Sequence, residues 1–156
     1  MKRIAIVNGP NINLLGRREV DIYGTKCWDE IERPLLRLAD SLRLQLVVYQ
    51  SNHEGDIVDF LQQEMDTLDG VIINPASFSK GGYSILDALS AREIPYVEVH
   101  LSNIAKRGEW HAESVFTKKA IGLITGFQHN VYELGLRGIW AYLESVKNVP
   151  SYQPND

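Results

Sequence analysis

Three groups of residues in this chain have the types and spacing to carry chemistry. The segment NGPNINLLGRREVDIYG, Asn8 to Gly24, holds Arg17, Arg18 and Tyr23, two guanidiniums within reach of one phenol. An unperturbed tyrosine titrates near pH 10, so phenolate at pH 7 costs roughly 4 kcal/mol, and an adjacent buried cation removes a large share of that. Tyr23 is therefore a candidate general base. Glu98, His100 and Ser102 alternate with Val99 and Leu101, which in a strand turns the three polar residues to one side. A carboxylate that holds one ring nitrogen fixes the tautomer and favours imidazolium, a proton donor. Asn74, next to Pro75, is an amide able to orient a ligand as donor and acceptor. Each group also has a structural alternative. Tyr23 can be a packing anchor in a solvated loop, His100 a satisfied half-buried histidine, and Asn74 part of an Asn-Pro turn.

Other chemistries fit less well. The glycine-containing loop has neither G-x-G-x-x-G nor G-x-x-x-x-G-K-[ST], so it lacks the phosphate-binding spacings. Ser102 and His100 lie too close on one strand for in-line proton removal, and no nucleophile elbow is present. The four histidines, His53, His100, His111 and His129, are scattered, and Cys27 is the only cysteine, which makes a poor metal set and leaves no internal disulfide. Taken alone, Lys80, Asp87, Arg107 and His111 read as surface residues, His53 as part of a helix entry and His129 as a loop residue.

The elements that must position these groups follow from periodicity. Arg3 to Asn8, Leu44 to Gln50, Gly70 to Pro75, Ile94 to Leu101 and Lys119 to Gly126 are short apolar runs of the kind that form strands buried on both faces. Helices are expected around Ile31 to Leu42, with Pro34 in or near the first turn, from a capping box at Ser51 to Glu54 through Leu68, from Tyr83 to Arg92, and from Asn130 to Val146. Gly9 to Thr25 has no period and reads as a long functional loop, and a polar segment with Arg107, Trp110 and His111 precedes the fifth strand. Alternating strands and helices predict parallel βαβ units and a flavodoxin-like doubly wound five-stranded sheet of order 2-1-3-4-5. Its ligand crevice would lie beyond the carboxyl ends of the strands, where Asn8, Gln50, Asn74 and Val99 begin their loops.

The 156 residues suit one domain, expected over residues 1–148, with a disordered tail at 149–156. Sixteen Lys and Arg against twenty Asp and Glu give a net charge of −4, which argues against nucleic acid or an anionic membrane as partner. Hydrophobic residues make up 44% and charged residues 23%, an ordinary globular balance. The lone thiol fits a reducing cytoplasm. The initial apolar run breaks at Asn8 and Gly9, too early for a secretory signal, and no stretch is expected to span a membrane.

The segments Asn8 to Gly24, QSNHEGDIVDFLQ (Gln50 to Gln62), IINP (Ile72 to Pro75) and EVHLSN (Glu98 to Asn103), in this order, resemble the type II 3-dehydroquinate dehydratases. The resemblance implies a flavodoxin-like fold, a homo-oligomer that is usually a dodecamer built from trimers, and anti elimination of water from 3-dehydroquinate without metal, nucleotide, Schiff base or other cofactor. It makes Tyr23 the base, Arg18 the cation beside it, Asn11 the holder of a water that stabilises the enolate, and His100, oriented by Glu98, the acid. Asn74 and the backbone amides of Leu101 and Ser102 would bind the carboxylate, Arg17 would stand beside them in the binding set, and Asp87 would reach a neighbouring subunit's site.

Three departures from the family pattern stand out, and the first two bear on specificity. Where the family usually reads G-A-Y-T-H-T-S this chain has A-S-F-S-K-G-G, so Lys80 stands at the place of a substrate-binding histidine. His111 takes the place of a substrate-binding arginine, and Leu86 precedes Asp87 where an arginine is usual. Both exchanged groups would face ring hydroxyls, and a guanidinium fork replaced by an imidazole is not conservative. A dehydroquinate dehydratase with a compensated pocket and a paralogue that dehydrates a related cyclic β-hydroxy ketone acid both fit. A non-catalytic flavodoxin-like module is the third option, against which the retention of both a base and an acid argues.

Overall fold

The computed structural model describes residues 1–147, so the expected tail lies outside the described residues. In chain order the elements are β1 (Lys2–Asn8), α1 (Val20–Tyr23), α2 (Trp28–Ser41), β2 (Leu44–Gln50), α3 (Glu54–Glu64), β3 (Gly70–Asn74), α4 (Tyr83–Ala91), β4 (Tyr96–His100), α5 (Glu109–Ala112), β5 (Gly122–Thr125) and α6 (Asn130–Lys147). Single 3-10 turns occupy Ile12–Leu14, Ala76–Lys80, Ile104–Arg107 and Thr117–Lys119. The strands form one parallel sheet in the order β2-β1-β3-β4-β5, the topology expected from the sequence.

The sheet is apolar on both faces because helices cover both. Ile4, Ile6, Ile72, Val97 and Val99 meet Ile31 and Leu35 of α2 and Val131, Leu136 and Ile139 of α6. Ala5, Val7, Val71, Ile73 and Tyr96 meet Ile57 and Leu61 of α3 and Ile85 and Leu89 of α4. That two-sided cover explains the continuous runs, since neither face needs a polar residue for water.

Three local expectations are corrected. The Gly9 to Thr25 stretch is not irregular throughout: it contains a 3-10 turn and the one-turn helix α1, which ends on Tyr23. Pro34 sits in the second turn of α2, not the first. It is tolerated because Pro34 and Glu30 are both exposed, so water can satisfy the carbonyl that lacks a donor. The reciprocal cap belongs to α2, where the Cys27 amide donates to Glu30 Oε2 at 2.9 Å. At the expected box the Ser51 hydroxyl accepts from the His53 amide at 2.9 Å and donates to Asp56 at 3.0 Å, so α3 starts at Glu54 with His53 as its cap residue.

Parallel register brings the functional strand ends to one level. Asn8 pairs with both Gln50 and Asn74, Ile73 with Glu98, and His100 with Thr125. Gly9, whose amide donates to the Asn74 carbonyl at 2.8 Å, lets the β1 and β3 exits touch. A Cβ at Gly9 would lie 2.3 Å from the Pro75 carbonyl oxygen, so only glycine permits this approach.

Candidate active site

A cavity of about 260 Å3 opens over these strand ends. Its walls include Asn11, Arg18 and Tyr23 from the first loop, Asn74 and Lys80 from the exit of β3, and His100, Leu101 and Ser102 from the exit of β4. Arg107, Trp110 and His111 close the remaining side. Residues spread over a hundred positions thus meet because every βα crossover returns the chain to the same edge of the sheet.

The phenol is held by two cations. Arg18 Nη2 lies 3.4 Å from the Tyr23 hydroxyl, and its guanidinium carbon is 4.4 Å from the ring centroid. Arg107 Nη1 donates to the same hydroxyl at 3.1 Å and to Ser102 Oγ at 3.1 Å. Arg107 is exposed, as the sequence reading has it, but it also lines the cavity; the signal for that second role was a basic side chain in an aperiodic segment following the carboxyl end of a strand. Arg18 also pairs with Glu19, Nε to Oε2 at 2.7 Å.

The second chemical group is the buried pair on β4. Glu98 is fully buried, and its Oε1 is 2.7 Å from His100 Nε2. Thr117 Oγ1 donates to the other carboxylate oxygen at 2.6 Å. Burial alone would raise the Glu98 carboxyl, but hydrogen bonds from His100, Ser114 and Thr117, with the attraction of His100, hold it below the usual carboxylate range. The alternation reading is met here: Val99 and Leu101 join the core under α6, while His100 and Ser102 line the cavity.

Asn74 is fixed from behind. Its Nδ2 donates to the Tyr132 hydroxyl at 2.9 Å, and that hydroxyl donates to Asn8 Oδ1 at 2.8 Å. The Ala76 amide donates to Asn74 Oδ1 at 3.3 Å. Tyr132 has one proton to give, so its bond to Asn8 forces Asn74 to present nitrogen to it and leaves one amide hydrogen for the cavity. Burial pushes the Tyr132 hydroxyl far above its ordinary range, which keeps it neutral as the link. Among the described residues, no hydrogen bond is donated by the backbone amides of Leu101 or Ser102; adjacent free N–H groups of this kind suit an anion.

The remaining sequence candidates are placed unequally. Asn11, in the left-handed region with φ 69°, has its amide on Asn52 Oδ1 at 3.0 Å. Lys80 lines the cavity, but its ammonium donates to the carbonyls of Trp110 and, at 2.5 Å, Glu113. His111 packs edge-on against Trp110 with ring centroids 4.5 Å apart. Arg17 is exposed and outside the cavity lining, and Asp87 is exposed on α4, also outside it. Among the described residues no group of three or more His, Cys, Asp or Glu side chains converges as a metal set, and no helix is long and apolar enough to cross a membrane.

A flavodoxin-like α/β protein with a phenol–guanidinium group facing a buried carboxylate–imidazole pair is the class that fold and site define. The family model for class II dehydroquinase matches residues 2–140. The chain is 46% identical over 148 residues to the 3-dehydroquinate dehydratase of Prochlorococcus marinus strain MIT 9301, covering 95% of this chain and all of that one. The crystal structures of type II dehydroquinases from Propionibacterium acnes and Butyrivibrio crossotus superpose with TM-scores of 0.84 each, at 38% and 34% identity, covering 90% and 88% of this chain and 97% of each of theirs. The chain belongs to the class II dehydroquinase family.

Proposed function

We propose that this protein eliminates water from 3-dehydroquinate to give 3-dehydroshikimate. The observation that carries the reading is the placement of a phenol under two guanidiniums on one wall of a single cavity and an imidazole on a buried carboxylate on the other. Tyr23, as phenolate, removes the proton from the carbon beside the ketone, while Arg18 and Arg107 favour the anionic oxygen that accepts it. The electron pair moves into the ring as an enolate, whose oxygen a water held by Asn11 stabilises. His100, oriented by Glu98, then protonates the departing hydroxyl, so the C–O bond breaks, water leaves and the new C=C bond is conjugated with the ketone. Asn74 and the free amides of Leu101 and Ser102 support binding of the substrate carboxylate. Lys80, His111 and Arg17 complete the proposed binding set, and the exposed position of Asp87 suits a contribution to a neighbouring subunit in a dodecamer of trimers. The chemistry draws on side chains and water, with no cofactor, and a cytoplasmic setting fits the lone thiol.

The test is an assay of the purified chain with 3-dehydroquinate, following the conjugated enone in the ultraviolet. Efficient turnover supports the reading; no turnover, with the fold intact, overturns it. A second reading, dehydration of a related cyclic β-hydroxy ketone acid, is favoured by Lys80 and His111 standing where the family pattern has a histidine and an arginine. An unpaired polar group costs roughly 1 to 3 kcal/mol, so two lost partners lower kcat/KM by several orders of magnitude unless replaced. The double variant Lys80→His with His111→Arg separates the two readings. It gains activity on 3-dehydroquinate if the chain is a paralogue, and gains nothing or loses activity if the pocket is already compensated.

A further inference from the structure

We propose that Lys80 is a positioning residue that latches the segment 108–113 over the cavity and so sets where Trp110 and His111 meet the far end of a bound ligand. This rests on the cavity being the substrate site. The segment has little else to hold it. None of the residues of α5 is buried, and Trp110 is 68% exposed, so apolar burial contributes little to its order. It begins at Gly108, in the left-handed region at φ 103°, immediately after Arg107 is tied to Tyr23 and Ser102. Its far end is tied to the β3 exit, where the Val115 amide donates to the Ser79 carbonyl at 2.9 Å. Between these anchors the Lys80 ammonium takes the carbonyls of Trp110 and Glu113 and lies 5.1 Å from the Trp110 ring centroid.

A single-turn helix leaves its last carbonyls without amide partners, and a cation there satisfies them and matches the helix dipole. An ammonium has three donors. Two are on the segment, and because Lys80 also lines the cavity, the third is free for a ligand hydroxyl or carboxylate oxygen. One nitrogen thereby joins lid position to ligand contact. An imidazole at this place could not do so, since its two nitrogens point apart on a shorter stem.

Limited trypsinolysis tests the latch without reference to turnover, because Lys106 and Arg107 lie at the base of the segment. Lys80→Met should speed cleavage after these two residues by about tenfold or more, with the thermal midpoint and cleavage elsewhere unchanged. Lys80→Arg should return it to within about threefold of the parent. With 3-dehydroquinate, Lys80→Met should raise KM more than it lowers kcat, a split that loss of general stability would not produce. Parent-rate cleavage in Lys80→Met overturns the proposal. If that variant is cleaved throughout, Lys80→Ala, which also lacks a donor, replaces it: faster cleavage confined to the two bonds supports the latch, and parent-rate cleavage overturns it. A parent that is inactive on 3-dehydroquinate while the trypsin results hold would refute the substrate reading and leave the latch standing.

Discussion

Arg107 and Tyr23, 84 residues apart, share a hydrogen bond of 3.1 Å from guanidinium Nη1 to phenolic oxygen. Arg18 reaches the same oxygen from within the first loop, so the phenol sits between a local cation and a distant one. The distant cation is also tied to Ser102 at the end of β4. The phenol and the strand that carries the imidazole are thereby linked through one side chain, and the relative position of the two groups depends on it.

Arg107→Met should lower kcat/KM on 3-dehydroquinate by about ten- to a hundredfold, from lost stabilisation of the phenolate and a loosened wall. Arg107→Lys should recover little of it, because an ammonium on a shorter side chain falls short of the two oxygens that the terminal guanidinium nitrogen Nη1 reaches. Steady-state kinetics decide; a methionine variant equal to the parent would remove Arg107 from the site.

Tyr23→Phe deletes the proposed proton acceptor and should lower kcat by at least roughly a hundredfold while a product or inert analogue still binds with near-parental affinity. Turnover within a few-fold of the parent would assign the base elsewhere.

His100→Ala should abolish net dehydration yet spare exchange of the abstracted proton with solvent deuterium, since the proposed mechanism puts the imidazole at the leaving hydroxyl and the phenol at the ring carbon. Proton NMR of the substrate follows the exchange. Loss of both processes together, or retention of both, contradicts the division.

Glu98 makes stability acid-sensitive. Its carboxyl is held below the usual range in the folded chain, so it contributes stability above the ordinary carboxylate value of about 4.3 and loses it as pH falls through the lower folded value. Glu98→Gln should be less stable than the parent at neutral pH, and the gap in urea midpoint should close in acid. A gap of constant size from neutral pH to acid would refute the assignment.

Ala76 lies in the left-handed region at φ 50°, at a place where the family pattern has glycine. Strain for an alanine there exceeds the extra chain entropy of a glycine, so Ala76→Gly should stabilise the protein by about 0.5 to 1 kcal/mol. A lower urea midpoint for the variant would show that the methyl group's packing outweighs the strain.

The sheet was legible because two-sided burial leaves a clear mark: in RIAIVN and GVIIN every residue between Arg3 and Asn8 and between Gly70 and Asn74 is apolar and buried. The loops leaving the strands could then be placed at Asn8, Gln50, Asn74 and Val99, and Tyr23 was singled out through the arginines near it in sequence. Arg107 was not legible, since its partners are remote and its segment has no period to show which way it faces. The cap at Cys27 was missed for a different reason: its reciprocal bond comes from a glutamate behind a residue that is not a usual cap. The latch on Lys80 depends on backbone carbonyls, which carry no residue code at all.

The Asn8–Tyr132 bond joins residues 124 positions apart, and this fixes when the site can exist during synthesis. A chain emerging from the ribosome can pair β1, β2 and β3 well before α6 has been made, but until Tyr132 arrives Asn8 has no hydroxyl donor and Asn74 no acceptor behind it. Long-range contacts of this kind form late. Nascent fragments ending before α6 would therefore carry the phenol and the imidazole while lacking an ordered amide between them, so the site is complete only once α6 has been translated.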